Sequence, residues 1–195
     1  MGGIVKTAVD MANRALAELE APPLQSFEGA DPKARWFRAN YETFRDELLA
    51  LHDWDFALSL VRLPADTIAP PYRWAHQYTL PADMLRLPVQ RADGSAHGKR
   101  LQYEVIGRKL MADVEPPFRL RYVRRVAREF EFSAAFVNAF AFYLAAGCCH
   151  VVTSKNSLKQ TLQEQARRAI AEARLQDARQ SGVRPQSDFD VEAMR

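Results

Sequence analysis

The sequence predicts an α+β protein: a four-helix bundle, two helices N-terminal and two C-terminal, with an inserted small antiparallel β subdomain and an extended C-terminal tail. Three observations predict it. Apolar residues recur at helical spacing over residues 4–20 and 32–51, and again over 133–153 and from 157 to a stop at Gly182. Between these pairs, prolines recur at 64, 70, 71, 81, 88, 116 and 117, and short runs alternate in polarity. From Val183 the chain turns polar, with Phe189, Val191 and Met194 as spaced apolar anchors that suit ordering on a partner. The expected division is residues 1–53 and 133–182 for the helices, 54–132 for the β subdomain, and 183–195 for the tail.

The first helix rests on Val5, Val9, Ala12, Leu16 and Leu19, and Pro22-Pro23 cannot continue it. Asp31-Pro32 then reads as an N-cap followed by a first-turn proline. The second helix presents Phe37, Tyr41, Phe44, Leu48 and Leu51 as its apolar stripe. Composition changes at Trp54. Phe56-Leu58-Leu60 against Ala57-Ser59-Val61 is strand-like, as is 101–106. Gly107-Arg108 suggests a turn into 109–114, and Asp93-Gly94 is a turn signal. Phe118-Leu120-Tyr122 alternates with Arg119-Arg121, a half-buried strand with a basic outer face that also protects a sheet edge. Five to seven strands are expected. Ser133 caps a third helix that is apolar almost all round. Ser157-x-x-Gln160 reads as a capping box opening the fourth, whose stripe is Leu158, Leu162, Ala166, Ala169, Ile170 and Ala173.

Composition narrows the function classes. A net charge of +3 is weak for a nucleic-acid-binding domain, but it is unevenly spread: residues 1–53 carry −3, 54–132 carry +4 and 133–195 carry +2. Opposite charge on two parts of one chain suits contact between copies. No phosphate-cradling glycine loop, nucleophile elbow or His-Glu-x-x-His appears. The adjacent Cys148 and Cys149 read as buried free thiols of a reducing compartment, and no metal or cofactor is implied. No signal peptide is read at the N-terminus. Residues 134–152 approach the length of a membrane span, but Asn138, Gly147, His150 and many small residues favour a core helix, without membrane insertion. His52 and His76 read as structural hydrogen-bonding groups. Asp53 and Asp55 flank Trp54 and form the one carboxylate pair worth weighing for glycoside hydrolysis. Arg119 and Arg121, beside Tyr122, are the best candidate for a nucleic-acid or partner surface.

Two aromatic-rich phrases remain: His52-Asp53-Trp54-Asp55-Phe56-Ala57 at the end of the second helix, and Tyr78-Thr79-Leu80-Pro81-Ala82-Asp83-Met84-Leu85-Arg86 after Pro70-Pro71-Tyr72. Their order resembles the tail tubular protein A family, the head-to-tail adaptors of short-tailed bacteriophages. The opening phrase Ala15-Leu16-Ala17-Glu18-Leu19, followed by Pro23-Leu24-Gln25-Ser26-Phe27, fits as well. Glu20 and Leu24 depart from the family, which has a glycine and a β-branched residue there.

The resemblance, over residues 4–180, implies a non-enzymatic ring of twelve subunits in the virion, at the portal vertex, made in the host bacterial cytoplasm. The ring joins the portal protein to a six-fold tail nozzle of the tail tubular protein B kind, and continues the channel for double-stranded DNA without sequence specificity. It implies structural roles for His52, Trp54, Phe56, Tyr78, Leu80, Pro81, Asp83 and Arg86. Arg174, Arg179, Phe189 and Met194 are then assigned to the portal side, and the β loops to the nozzle. A tail-associated peptidoglycan hydrolase using Asp53 or Asp55, and a DNA-binding assembly factor, are the alternatives from other classes.

Overall fold

The first helix, α1 (Ala8–Ala17), starts where Thr7 and Asp10 cap each other: the Asp10 amide donates to Thr7 Oγ1 at 3.1 Å and the Thr7 amide to Asp10 Oδ2 at 3.0 Å. The expected start at residue 4 lies outside the described residues, which in this computed structural model are 6–91, 99–153 and 156–180. The Asp93-Gly94 turn, Gly182 and the tail with Phe189 and Met194 also lie outside them. Helix α2 (Pro32–Ala50) begins as expected, with Asp31 accepting from the Lys33 amide at 2.8 Å and proline in the first turn. Its inward face differs by one position: Leu49 is buried, whereas Leu51 caps the helix and is 49 % exposed.

The chain is α+β, with four helices and two small antiparallel sheets. One sheet has the order β1-β6-β3, from β1 (Leu58–Leu63), β6 (Phe118–Arg124) and β3 (Met84–Arg86). The other has the order β2-β5-β4, from β2 (His76–Thr79), β5 (Lys109–Ala112) and β4 (Tyr103–Ile106). The Gly107-Arg108 hairpin turn is as read from the sequence; Gly107 has φ +59° and links the Ile106–Lys109 pair. Phe56 and Ala57, expected as strand, lie instead in a 3-10 turn, Asp55–Ala57, because the Ala57 and Leu58 amides both donate back to the Trp54 carbonyl. Strand β6 is central, not an edge, so its arginines do not serve edge protection.

Helix α3 (Ala134–Thr153) begins at the Ser133 cap, whose Oγ accepts from the Phe136 amide at 3.3 Å. It is long and apolar enough to cross a membrane by composition, and here ten of its side chains are buried against α1, α2 and α4 (Asn156–Gln180). Gly147 is what lets α2 approach: a Cβ there would lie 2.4 Å from the Phe44 ring. Helix α4 is already helical at Asn156, so Ser157 sits inside it and does not cap it; the Ser157 carbonyl accepts from Thr161 Oγ1 at 3.4 Å. The expected stripe holds, with Leu162, Ala166, Ala169 and Ala173 buried.

Two cores result. The larger one gathers the helices with Trp54, Val123 and Val126. The smaller lies between the sheets, where Tyr78, Leu110 and Ala112 face Phe118, Leu120 and Tyr122, and the Tyr78 and Phe118 rings are 5.0 Å apart. Burying a large apolar side chain in either contributes about 1.5–3 kcal/mol.

Glu20, where the pattern it resembles has a glycine, keeps the turn a glycine would make. Its φ is +54°, the Ala21 amide donates to the Leu16 carbonyl, and the Glu20 amide donates to the Ala17 carbonyl, both at 3.0 Å. This is a helix stop whose left-handed residue favours glycine, and a side chain there costs about 1 kcal/mol. Glu20 is exposed and makes no ion pair among the described residues. Glu20→Gly is therefore expected to stabilise the fold by about 0.5–1 kcal/mol, and Glu20→Ala by nothing comparable, in urea unfolding at constant m-value.

Candidate functional site

The two phrases carrying the resemblance meet at one polar junction, where α2 ends and β1 begins. Trp54 is fully buried, its Nε1 donating to the Leu48 carbonyl at 3.1 Å, and its ring lies 5.1 Å from that of Phe136 and 4.8 Å from that of His52. Phe56 packs on the same Phe136 ring at 5.1 Å. Asp53 forms an ion pair with Arg86, so the first phrase is joined to the second. The last turns of α4 complete the junction. Arg174 Nη2 donates to the Leu51 carbonyl at 2.9 Å, and Asp177, 6 % exposed, accepts from the Asp55 amide at 3.2 Å. His52 Nε2 lies 3.2 Å from Asp177 Oδ2.

The second phrase is structural along its length. Tyr78 is fully buried and donates its hydroxyl to the Val114 carbonyl. The Leu80 amide donates to the Arg108 carbonyl at 2.9 Å, while Arg108 donates back to the carbonyls of Leu80 and Pro81. Asp83 accepts from the Tyr122 hydroxyl at 3.2 Å, and its carbonyl accepts from the Arg125 amide.

Electrostatics at the junction are set by partial burial. His52 is pushed below the ordinary histidine range, first by burial and also by the charges of Arg174 and Arg86, against the pull of Asp177. The short His52–Asp177 distance alone would suggest an ion pair; because desolvation dominates, the imidazole is neutral at pH 7 and the contact is a hydrogen bond. Asp55 is pushed above the usual carboxylate range by burial and by the Asp177 charge. Arg86 is lowered by burial and by Arg174.

The hydrolase alternative needs two free carboxylates across a cleft. Asp53 is engaged by Arg86, and neither Asp53 nor Asp55 lines the groove described next. One groove of about 410 Å³ runs between helices, with Phe44 and Tyr143 beside Lys159 and Arg167. Cys148 and Cys149 are buried thiols outside any disulfide, and burial pushes the Cys148 thiol up to about 12. Among the described residues no group of His, Cys, Asp and Glu is arranged to hold a metal ion.

The basic face is larger than the sequence suggested. Register places Arg62 opposite Arg119 and Leu60 opposite Arg121 on the outer side of the β1-β6-β3 sheet, where Arg62 and Arg119 are exposed. Arg62 was not singled out, although its alternation with Val61 and Leu63 carries the signal. Gln90, also missed, is 1 % exposed and its amide exchanges hydrogen bonds with the Arg121 main chain, as a strand residue would. Arg179 is exposed on the last turns of α4, whereas Arg174 is turned onto the Leu51 carbonyl. Comparison with protein-family models and with curated proteins gave no match.

Two outcomes are expected. Asp177→Ala leaves the Asp55 amide and His52 without their acceptor and costs about 2–3 kcal/mol, while Arg179→Ala stays within about 0.5 kcal/mol in the same denaturation assay. A histidine depressed in the folded state binds protons more weakly than in the unfolded chain. Stability therefore falls as pH drops below the unfolded value near 6.5, and is fully present above it. His52→Gln should flatten the decline in melting temperature between about pH 7 and 5.5.

Proposed function

We propose that this chain is a structural subunit that acts by assembly, without breaking bonds. More specifically, we read it as a head-to-tail adaptor of a short-tailed bacteriophage, a subunit of a ring between the portal and the tail nozzle that continues the channel for genome ejection. The observation that carries this reading is the junction itself. Asp53 of the first phrase pairs with Arg86 of the second, and Trp54, Tyr78 and Leu80 lie in the two cores. The residues on which the resemblance to the tail tubular protein A family rests thus act together to hold one fold.

The finer architecture belongs to this proposal. The four helices serve as a bundle built on α3, the β part projects from it, and the tail beyond α4 reaches the portal. A twelve-subunit ring brings the acidic residues 1–53 of one copy against the basic residues 54–132 of the next. The β part also carries exposed apolar side chains suited to partner contacts, among them Leu60, Ile68, Val89 and Ile106. In a ring, Arg62, Arg119 and Arg121 repeat by symmetry, enough to guide duplex DNA while leaving it free to slide. The site of action is the virion, at the portal vertex, after synthesis in the host bacterial cytoplasm.

Electron-microscopic class averages of the chain mixed with portal rings test this. Twelve-fold rings capping the portal are expected. A chain that stays single beside intact portals, or peptidoglycan turnover abolished by Asp53→Asn, would sink the reading. Deleting residues 183–195 is expected to abolish co-assembly; unchanged co-assembly would remove the portal-side assignment of Phe189 and Met194 alone.

A further inference from the structure

Two strands of the β part keep an open edge, and they belong to different sheets. Strand β1 pairs with β6 alone, and β4 with β5 alone. The chain just before β4 is covered, since the Leu101 amide donates to the Gln90 carbonyl. Among the described residues no main-chain hydrogen bond reaches residues 60–63 or β4 from the open side. Register turns Val61 and Leu63 toward the core between the sheets, and Tyr103 and Val105 toward the same core from the other sheet. Val61, Leu63 and Tyr103 are only half-buried there, and Val105 is 40 % exposed. On the outer faces Leu60 is 70 % exposed and Ile106 51 %.

The two edges also differ in charge. Arg62 stands directly across from Arg119, a like-charge cross-strand pair that costs stability unless an anion lies alongside. Neither arginine has an ion-pair partner among the described residues. On β4 the matching charge is Glu104, whose carboxyl is held below the usual carboxylate range by hydrogen bonds from Tyr72 and Trp74.

One register satisfies both edges. With β1 and β4 antiparallel and Leu60 opposite Ile106, Val61 meets Val105, Arg62 meets Glu104 and Leu63 meets Tyr103. Apolar side chains then meet along the core side, and on the outer side an apolar pair stands beside an ion pair. A slip of two residues sets Arg62 against Ile106 or Leu60 against Glu104. A slip of one turns the apolar side chains to the wrong face. Within one chain β1 and β4 flank separate sheets, so the partner is a second copy.

We infer that β1 of one copy pairs antiparallel with β4 of the next in this register, joining the β1-β6-β3 sheet of one to the β2-β5-β4 sheet of the other. The two strands are unlike, so each contact leaves one β1 and one β4 open, and copies add head to tail until the string closes. The inference rests on the ring reading for that closure, and gives the ring its subunit contact.

Sedimentation of the full chain across a wide concentration range tests it, beside Arg62→Glu, Glu104→Arg and the double variant. The unaltered chain is expected to associate as concentration rises. Each single variant sets like charges across the contact and associates about tenfold more weakly, whereas the double variant regains the original association. An equimolar mixture of the two single variants regains it as well, because each β1 then meets the opposite charge on the other variant's β4. Arg62 makes no ion pair in its own chain, so Arg62→Glu is expected to fold normally and carries the test even where Glu104→Arg disturbs the Trp74 contact. An unaltered chain that stays single at every concentration, an Arg62→Glu chain that associates as strongly, or a mixture of folded single variants that stays apart overturns the inference. Association with this charge dependence that ends at a pair of copies, or gives rings that do not cap portals, keeps the strand contact and sinks the adaptor reading alone.

Discussion

The structure depends on one buried carboxylate. Asp177 sits near the end of the last helix and binds the turn through which the chain leaves the helices for the sheets, at the Asp55 amide and at His52. Arg174, one turn earlier, takes up the Leu51 carbonyl that the end of α2 leaves unpaired. Residues more than a hundred positions apart are thus made neighbours by hydrogen bonds in a setting where leaving one unmade is expensive. The return from the sheets to the helices is fixed the same way. Arg125 Nε meets Asp46 at 2.6 Å, Arg124 pairs with Glu131, and the buried Tyr41 hydroxyl donates to Glu129 at 3.0 Å. An insertion tied at one crossing would hinge; tied at both, it is held in a fixed relation to α2.

Strand β6 couples the two cores. Phe118, Leu120 and Tyr122 face the second sheet, whereas Val123 packs among the helices. Two adjacent buried residues, Tyr122 and Val123, break the alternation because the strand passes from a one-sided environment into one covered on both faces. The outer face opposite the β core is covered at the Leu58–Val123 end and open at the Arg62–Arg119 end. The basic face is what remains of one sheet surface after the helices have covered the rest.

Features set by local chemistry were legible. The Asp31-Pro32 start of α2, the Ser133 cap and the Gly107-Arg108 turn each depend on a few adjacent residues, and each forms where the sequence places it. What was not legible depends on distant partners. Leu51 fits the stripe of α2, but the helix has ended there and Arg174 covers its carbonyl. Leu60 continues an apolar alternation, but register puts it among arginines. Ser157 fits a capping box, but the helix has begun before it. At the junction, Asp53, His52 and Arg86 were visible as motif residues, while Asp177 carried no local signal. An aspartate late in a polar helix looks solvated until the fold places the Asp55 amide against it.

The groups whose charge burial disfavours and the open basic face lie apart among the described residues. Burial disfavours charge on His52, the Tyr41 hydroxyl and the Cys148 thiol, and each is packed within the fold. A depressed histidine can be a general base where a substrate reaches it. Here its Nε2 is taken by Asp177 and its ring lies edge-on to Trp54. One group of side chains that does face solvent, Arg62, Arg119 and Leu60, offers positive charge and apolar contact area.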